Sequence, residues 1–155
     1  MCIRDRNYKQ KPIIGVVLIP EKNQLWISNG IKSWCESRDG SYLKTNPLQK
    51  KGRIHDMTIV TSKNHRNQTL KKVIEKLNFK DQIVMGSVGC KIASILRGES
   101  NIYICLSLPG KSSPKDWDFA APEAILKTAG GSLTYLDSDE LSLSLIHISE
   151  PTRPY

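Results

Sequence analysis

The 155-residue chain reads as an α/β protein, a layered α/β sandwich with a mixed sheet. Three observations predict it. Two apolar runs, KPIIGVVLIP (11–20) and NQLWISNG (23–30), flank a tight polar turn, as in a hairpin. In the second half, short apolar runs alternate with helical segments. Within one of these, NQTLKKVIEKLN (67–78), Leu70, Val73, Ile74 and Leu77 fall at i, i+3, i+4 and i+7, one face of a helix. The alternation gives the layers; the hairpin makes the sheet mixed.

The elements follow in order. The run 11–20 closes on Pro20 and predicts a buried strand, with 23–30 its hairpin partner. IKSWCESRDGSYLK (31–44) continues as a strand and turns at Asp39-Gly40. TNPLQKKGR (45–53) is a loop. DMTIVTS (56–62) is β-branched and predicts a strand, followed by the 67–78 helix. QIVMG (82–86) is a strand running into the helix SVGCKIASILRG (87–98), with Ile92, Ala93, Ile95 and Leu96 inward. NIYICLSL (101–108) predicts a strand and PGKSSPK (109–115) a loop. KDWDFAAPEAILKTAGG (115–131) predicts a helix that Gly130-Gly131 ends in a left-handed cap, with Pro122 near its start. SLTYLD (132–137) is the final strand.

Charged residues make up 25% and hydrophobic residues 39%, a globular rather than disordered balance. No apolar run reaches membrane-spanning length, and charges interrupt the start too early for a signal peptide. The cysteines show no zinc or redox spacing; Cys35, Cys90 and Cys105 lie in apolar surroundings and read as reduced core residues, which predicts a cytoplasmic setting. The formal charge is +8. It raises the question of nucleic acid or an anionic substrate, yet the basic residues are scattered and aromatic residues are only 6%, which disfavours a nucleic-acid surface.

Both ends read as foreign. Met1 to Asp5 can be encoded ATGTGTATAAGAGAC, with AG opening the Arg6 codon. The reverse complement reads Leu-Ser-Leu-Ile-His in frame, which is Leu143 to His147. Such an inverted repeat resembles a sequencing-library adapter. The expectation is therefore a natural segment at 7–142, the carboxy-terminal part of one domain, with adapter-derived residues at 1–6 and 143–155.

Three polar sites stand where a strand hands over to a loop or helix: Ser62 with His65, Gly86-Ser87 with Lys91, and Asp116 with Asp118. Such crevices favour ligands in α/β sheets. Each has a plainer reading. Asp118 suits a helix cap as well as a metal ligand. Ser87 suits an ordinary cap as well as the start of an anion site. Lys91 reads as a surface lysine with its stem buried, or as a phosphate contact. His65 reads as a loop histidine or a ligand contact.

Together these pieces resemble the carboxy-terminal half of the inositol monophosphatase superfamily, the sugar-phosphatase fold. DWDFAAPEAILKTAGG resembles its second signature, a Trp-Asp followed by small residues, a helix and Gly-Gly. KPIIGVVLIP resembles a strand of the 3'(2'),5'-bisphosphate nucleotidase branch. TSKNH resembles that branch's Ser-Arg-Ser-His segment, with Lys63 and Asn64 departing from it. GSVGCK resembles its Gly-Ser…Lys phosphate and ribose site. The resemblance spans roughly Lys11 to Asp137. It implies that Asp118 is a catalytic Mg²⁺ ligand, and that Ser62, His65, Gly86, Ser87 and Lys91 bind a small phosphorylated substrate. The family's Asp-Pro-Leu/Ile-Asp-Gly-Thr motif and upstream Glu pair have no counterpart here; RDGS (38–41) is a turn. The expectation is a Mg²⁺-dependent phosphatase that converts adenosine 3',5'-bisphosphate to AMP in the longer parent, with this segment inactive alone. An inositol or sugar phosphatase, or a non-catalytic nucleotide-binding module, are the alternatives.

Overall fold

The computed structural model describes residues 2–45, 52–63, 68–106 and 114–135. Its first half is an antiparallel meander: β1 (Cys2–Tyr8), β2 (Lys11–Ile19), β3 (Gln24–Ser28), β4 (Ser33–Ser37) and β5 (Tyr42–Lys44). Each strand pairs with the next, in the order β1-β2-β3-β4-β5. The predicted β2–β3 hairpin is present, with Val17 opposite Trp26. The turn at Asp39-Gly40 is present too. Gly40 takes φ +82°, and Asp39 Oδ1 accepts the Ser41 N–H at 2.9 Å. Residues 2–6, set aside in the sequence reading, lie in β1 against β2.

The second half builds a separate three-stranded sheet. β6 (Thr58–Ser62), α1 (Gln68–Leu77), β7 (Asp81–Met85), α2 (Val88–Leu96), β8 (Ile102–Tyr103) and α3 (Asp116–Thr128) follow in order. The strands are parallel, in the order β7-β6-β8. The layered α/β sandwich therefore stands, and its two strand directions fall in two sheets. β6 is central, so the chain leaves it for β7 and then crosses to its other side at β8.

α2 and α3 lie between the sheets. Val17, Ile19, Trp26 and Cys35 of the meander pack with Ala93, Ala121 and Ile125. On the other side, Val60 packs with Val88, Ile92, Ile95 and Leu126. β2 approaches α3 so closely that a Cβ on Gly15 would press into the Ala121 carbonyl. α1 lies on the outer face of the parallel sheet with Leu70 buried. A cavity of about 330 Å³ there is lined by Thr61, Leu70, Ile74 and Gln82 among others.

Three expectations change. The run 101–108 forms strand only at Ile102–Tyr103; 104–106 are irregular and 107–108 lie outside the described residues. The final strand predicted at 132–137 reduces to a single bridge residue, Thr134, with 136–137 outside the described residues. Pro122 sits in the interior of α3, not its first turn. It has no N–H to return to the Asp118 carbonyl four residues back. Burial on both sides of α3 outweighs that loss, since tertiary packing overrides local propensity. The left-handed cap is as predicted. Gly130 takes φ +86°, Gly130 N–H bonds Lys127 O, and Gly131 N–H bonds Leu126 O, each at 3.0 Å. No helix among the described residues is long and apolar enough to cross a membrane.

Candidate functional site

The carboxyl ends of β6, β7 and β8 and the amino ends of α2 and α3 meet in one region, the place where open α/β sheets bind ligands. β6 ends in Ser62, which is buried and stands opposite Met85 in register. The next residue ties the two strands together, Lys63 N–H to Met85 O at 2.9 Å. His65 lies outside the described residues.

β7 gives way to Gly86 and Ser87. Ser87 is the N-cap of α2, its Oγ accepting the Cys90 N–H at 3.1 Å. The plain capping role is therefore real, and it leaves the other first-turn N–H groups of α2 at the crevice. Gly86 is exposed, and no heavy atom lies within 4 Å of where its Cβ would stand. A ligand can approach the main chain there.

Lys91 does not behave as a surface lysine. It is 1% exposed. Its Nζ donates to the Gly86 carbonyl at 2.9 Å and lies 5.0 Å from the Tyr103 ring centroid. Burial pushes the ammonium below its ordinary pKa, while the nearby Cys105, Cys90 and Asp118 act in the opposite direction. Tyr103 shares this pocket. Its hydroxyl is buried, with Cys105 as a neighbour, and desolvation holds the phenol well above its ordinary pKa. The sequence marked Cys105 only as a reduced core residue and Tyr103 not at all, because both sit in an apolar run that reads as strand.

Asp118 is the third residue of α3, not its N-cap, which is Lys115. Its Oδ2 accepts the Lys115 N–H at 2.9 Å, and its own N–H bonds Lys115 O at 2.8 Å. One carboxylate oxygen thus performs the helix-capping role. The charge also reaches across the crevice, since Asp118 acts electrostatically on both Lys91 and Tyr103. The structure joins Gly86, Ser87 and Lys91 at the β7–α2 turn, with Asp118 near enough to act on Lys91 electrostatically and Ser62 at the end of the adjacent strand β6.

Mg²⁺ takes hard oxygen ligands, and Asp118 fits as one of them. Among the described residues no group of three His, Cys, Asp or Glu side chains is placed to hold an ion. The described residues therefore do not form a complete metal site.

Comparison with known proteins bears on the family and the fold. The model of the inositol monophosphatase family matches residues 7–152. A 3'(2'),5'-bisphosphate nucleotidase of Buchnera aphidicola is 32% identical over 134 residues, 86% of this chain and 47% of that protein. The chain thus spans about half the length of that relative. The structure of SaIMPase-II with bound 2'AMP superimposes with a TM-score of 0.69 at 20% identity, over 86% of this chain and 48% of the other. An IMPase/NADP phosphatase complexed with Mg²⁺ and phosphate gives a TM-score of 0.67 at 19% identity, over 88% and 48%. These likenesses show the fold.

Proposed function

The chain belongs to the inositol monophosphatase family, and on that premise we propose that it forms the phosphate-binding half of a Mg²⁺-dependent phosphomonoesterase acting on a 3'(2'),5'-bisphosphate nucleotide. The observation that carries this is the buried Lys91 ammonium, fixed on Gly86 O at 2.9 Å beneath an open main-chain turn. A buried cation beside the amino end of a helix favours an anion, and the exposed Gly86 admits it. The nucleotide branch is supported by the resemblance of GSVGCK and TSKNH and by the bisphosphate nucleotidase relative.

In this reading the α2 amino end holds a phosphate, with the charge of Lys91 attracting it and Ser62, His65 and Ser87 around the nucleotide. Asp118 presents a carboxylate oxygen to Mg²⁺. When bound, the metal supplies an activated water and charge neutralisation at the leaving oxygen. The remaining carboxylates would be supplied by a longer parent, and on this proposal the chain alone is expected to bind substrate without turning it over. The free thiols of Cys35, Cys90 and Cys105 suit a cytoplasmic location. The second reading is a non-catalytic nucleotide-binding module, since among the described residues no group of three His, Cys, Asp or Glu side chains is placed to hold an ion.

A substrate panel tests the proposal. Phosphate release is measured from adenosine 3',5'-bisphosphate, inositol 1-phosphate and fructose 1,6-bisphosphate, with and without Mg²⁺, for the longer protein and for this chain. The expected result is Mg²⁺-dependent release by the longer protein, with the adenosine bisphosphate preferred, and none by the chain. Tight nucleotide binding without release by the longer protein would favour the non-catalytic module. Preference for either sugar phosphate would refute the nucleotide assignment.

A further inference from the structure

Lys91 is the one cation buried among the described residues. An ammonium taken out of water needs compensation, and it carries three donors. Gly86 O accepts one of them at 2.9 Å. The Tyr103 ring, its centroid 5.0 Å from Nζ, offers the negative face of its π system. These two partners come from different elements, the β7–α2 turn and β8. They clamp the ammonium from opposite sides of the sequence. At 1% exposure, Lys91 has almost no surface to offer a ligand directly.

We infer that Tyr103 is a positioning residue of the anion site: its ring holds the Lys91 ammonium against the Gly86 carbonyl, so that Lys91 acts on a phosphate as a fixed charge behind the Gly86–Ser87 turn and not by touching it. The inference rests on the anion-site reading above. The physical reason lies in the Gly86 carbonyl. An unmasked carbonyl oxygen at the edge of the crevice repels phosphate. A cation bonded to it at 2.9 Å cancels that repulsion. The same bond fixes the turn from which the first N–H groups of α2 project. Tyr103 stays neutral through this, because desolvation holds its phenol well above the ordinary range.

The test uses the 155-residue chain, isotopically labelled, titrated with inorganic phosphate and followed by heteronuclear NMR. The Lys91 ε-methylene protons are expected well upfield of those of the other lysines, shifted by the Tyr103 ring current. Phosphate is expected to move the amides of Gly86 to Gly89. Tyr103→Leu is expected to lose the upfield shift and to weaken phosphate binding about five-fold, the size of one partly desolvated cation–π contact. Tyr103→Phe, which keeps the ring, is expected to restore both.

Lys91 protons at exposed-lysine positions in the parent chain would overturn the inference whether or not the leucine variant folds. So would a folded Tyr103→Leu chain that binds phosphate as tightly as the parent; the anion site would then stand and only the role of Tyr103 would fall. A parent chain whose Gly86 to Gly89 amides ignore phosphate would overturn the anion-site reading itself, and this inference with it.

Discussion

Replacing Gly15 by alanine is expected to cost about 2 kcal/mol of stability and to displace the helix that carries Asp118. Gly15 lies in β2, where the strand passes α3. A Cβ there would press into the Ala121 carbonyl oxygen, with Ala121 Cα and carbonyl carbon each at 3.0 Å. These are main-chain atoms in the middle of a helix, packed between two sheets. They cannot swing aside as the end of a side chain does, so strand or helix must shift. Overpacking of this kind costs roughly 1–3 kcal/mol. With a urea m-value of about 2 kcal/mol/M, the unfolding midpoint should fall by about 1 M. Circular dichroism in a urea series measures it. Gly52→Ala is the control. Its Cβ would meet nothing within 4 Å, and its midpoint should stay within about 0.25 M of the parent. Adding Ala121→Gly to Gly15→Ala should give no recovery, because the clash is with the backbone. A Gly15→Ala midpoint equal to the parent's would refute the close approach. Recovery in the double variant would show that a side chain, not the helix backbone, sets the limit.

Lys127→Met should destabilise the chain by about 2 kcal/mol, because it strips the fully buried Glu123 carboxylate of an ammonium at 2.7 Å. Thermal unfolding should show the double variant Glu123→Met/Lys127→Met losing less than the single one; an equal or greater loss would count against the pairing. Acid unfolding tests Arg97, whose hydrogen bond, opposed by partial burial, holds the Glu99 carboxyl below its ordinary value of 4.5. A lowered folded pKa contributes stability that is complete above the unfolded value and lost as pH falls through the folded one. Stability of the parent should therefore decline on acidification below about pH 4.5, and Arg97→Met should flatten that decline. An unchanged slope in the variant would refute the assignment.

What the sequence showed and what it hid divide along the range of the interactions. The apolar stripe Leu70, Val73, Ile74, Leu77, the Ser87 cap and the Gly130-Gly131 end of α3 are set by residues a few positions apart, and periodicity or capping chemistry reveals them. The division into two sheets is not of that kind. The apolar runs of β2 and β6 satisfy either one mixed sheet or two, and only the packing of α2 and α3 between them decides. NIYICLSL has enough apolar residues for a full strand, yet among the described residues its pairing stops at Tyr103. The Asp118 motif was legible as a motif, while its place as third residue of the helix, bonded to Lys115, was not. Lys91 was the hardest to place. A lysine on an amphipathic helix is ordinarily solvated. Its burial depends on the Gly86 carbonyl, five residues back, and on the Tyr103 ring, brought in by the crossover to β8, which no spacing rule encodes.

The most direct test of the account is Mg²⁺-dependent phosphate release from adenosine 3',5'-bisphosphate by the Asp118→Asn variant of the longer protein. The two roles of Asp118 separate in this substitution. Asparagine keeps an oxygen that can accept the Lys115 N–H now bonded at 2.9 Å, so capping alone predicts a small change in stability and little in rate. A Mg²⁺ ligand loses its charge in the same exchange. Turnover is expected to fall by orders of magnitude while the urea midpoint stays near that of the parent. Near-normal turnover with unchanged Mg²⁺ dependence would show that Asp118 only caps α3, and would contradict the proposed site.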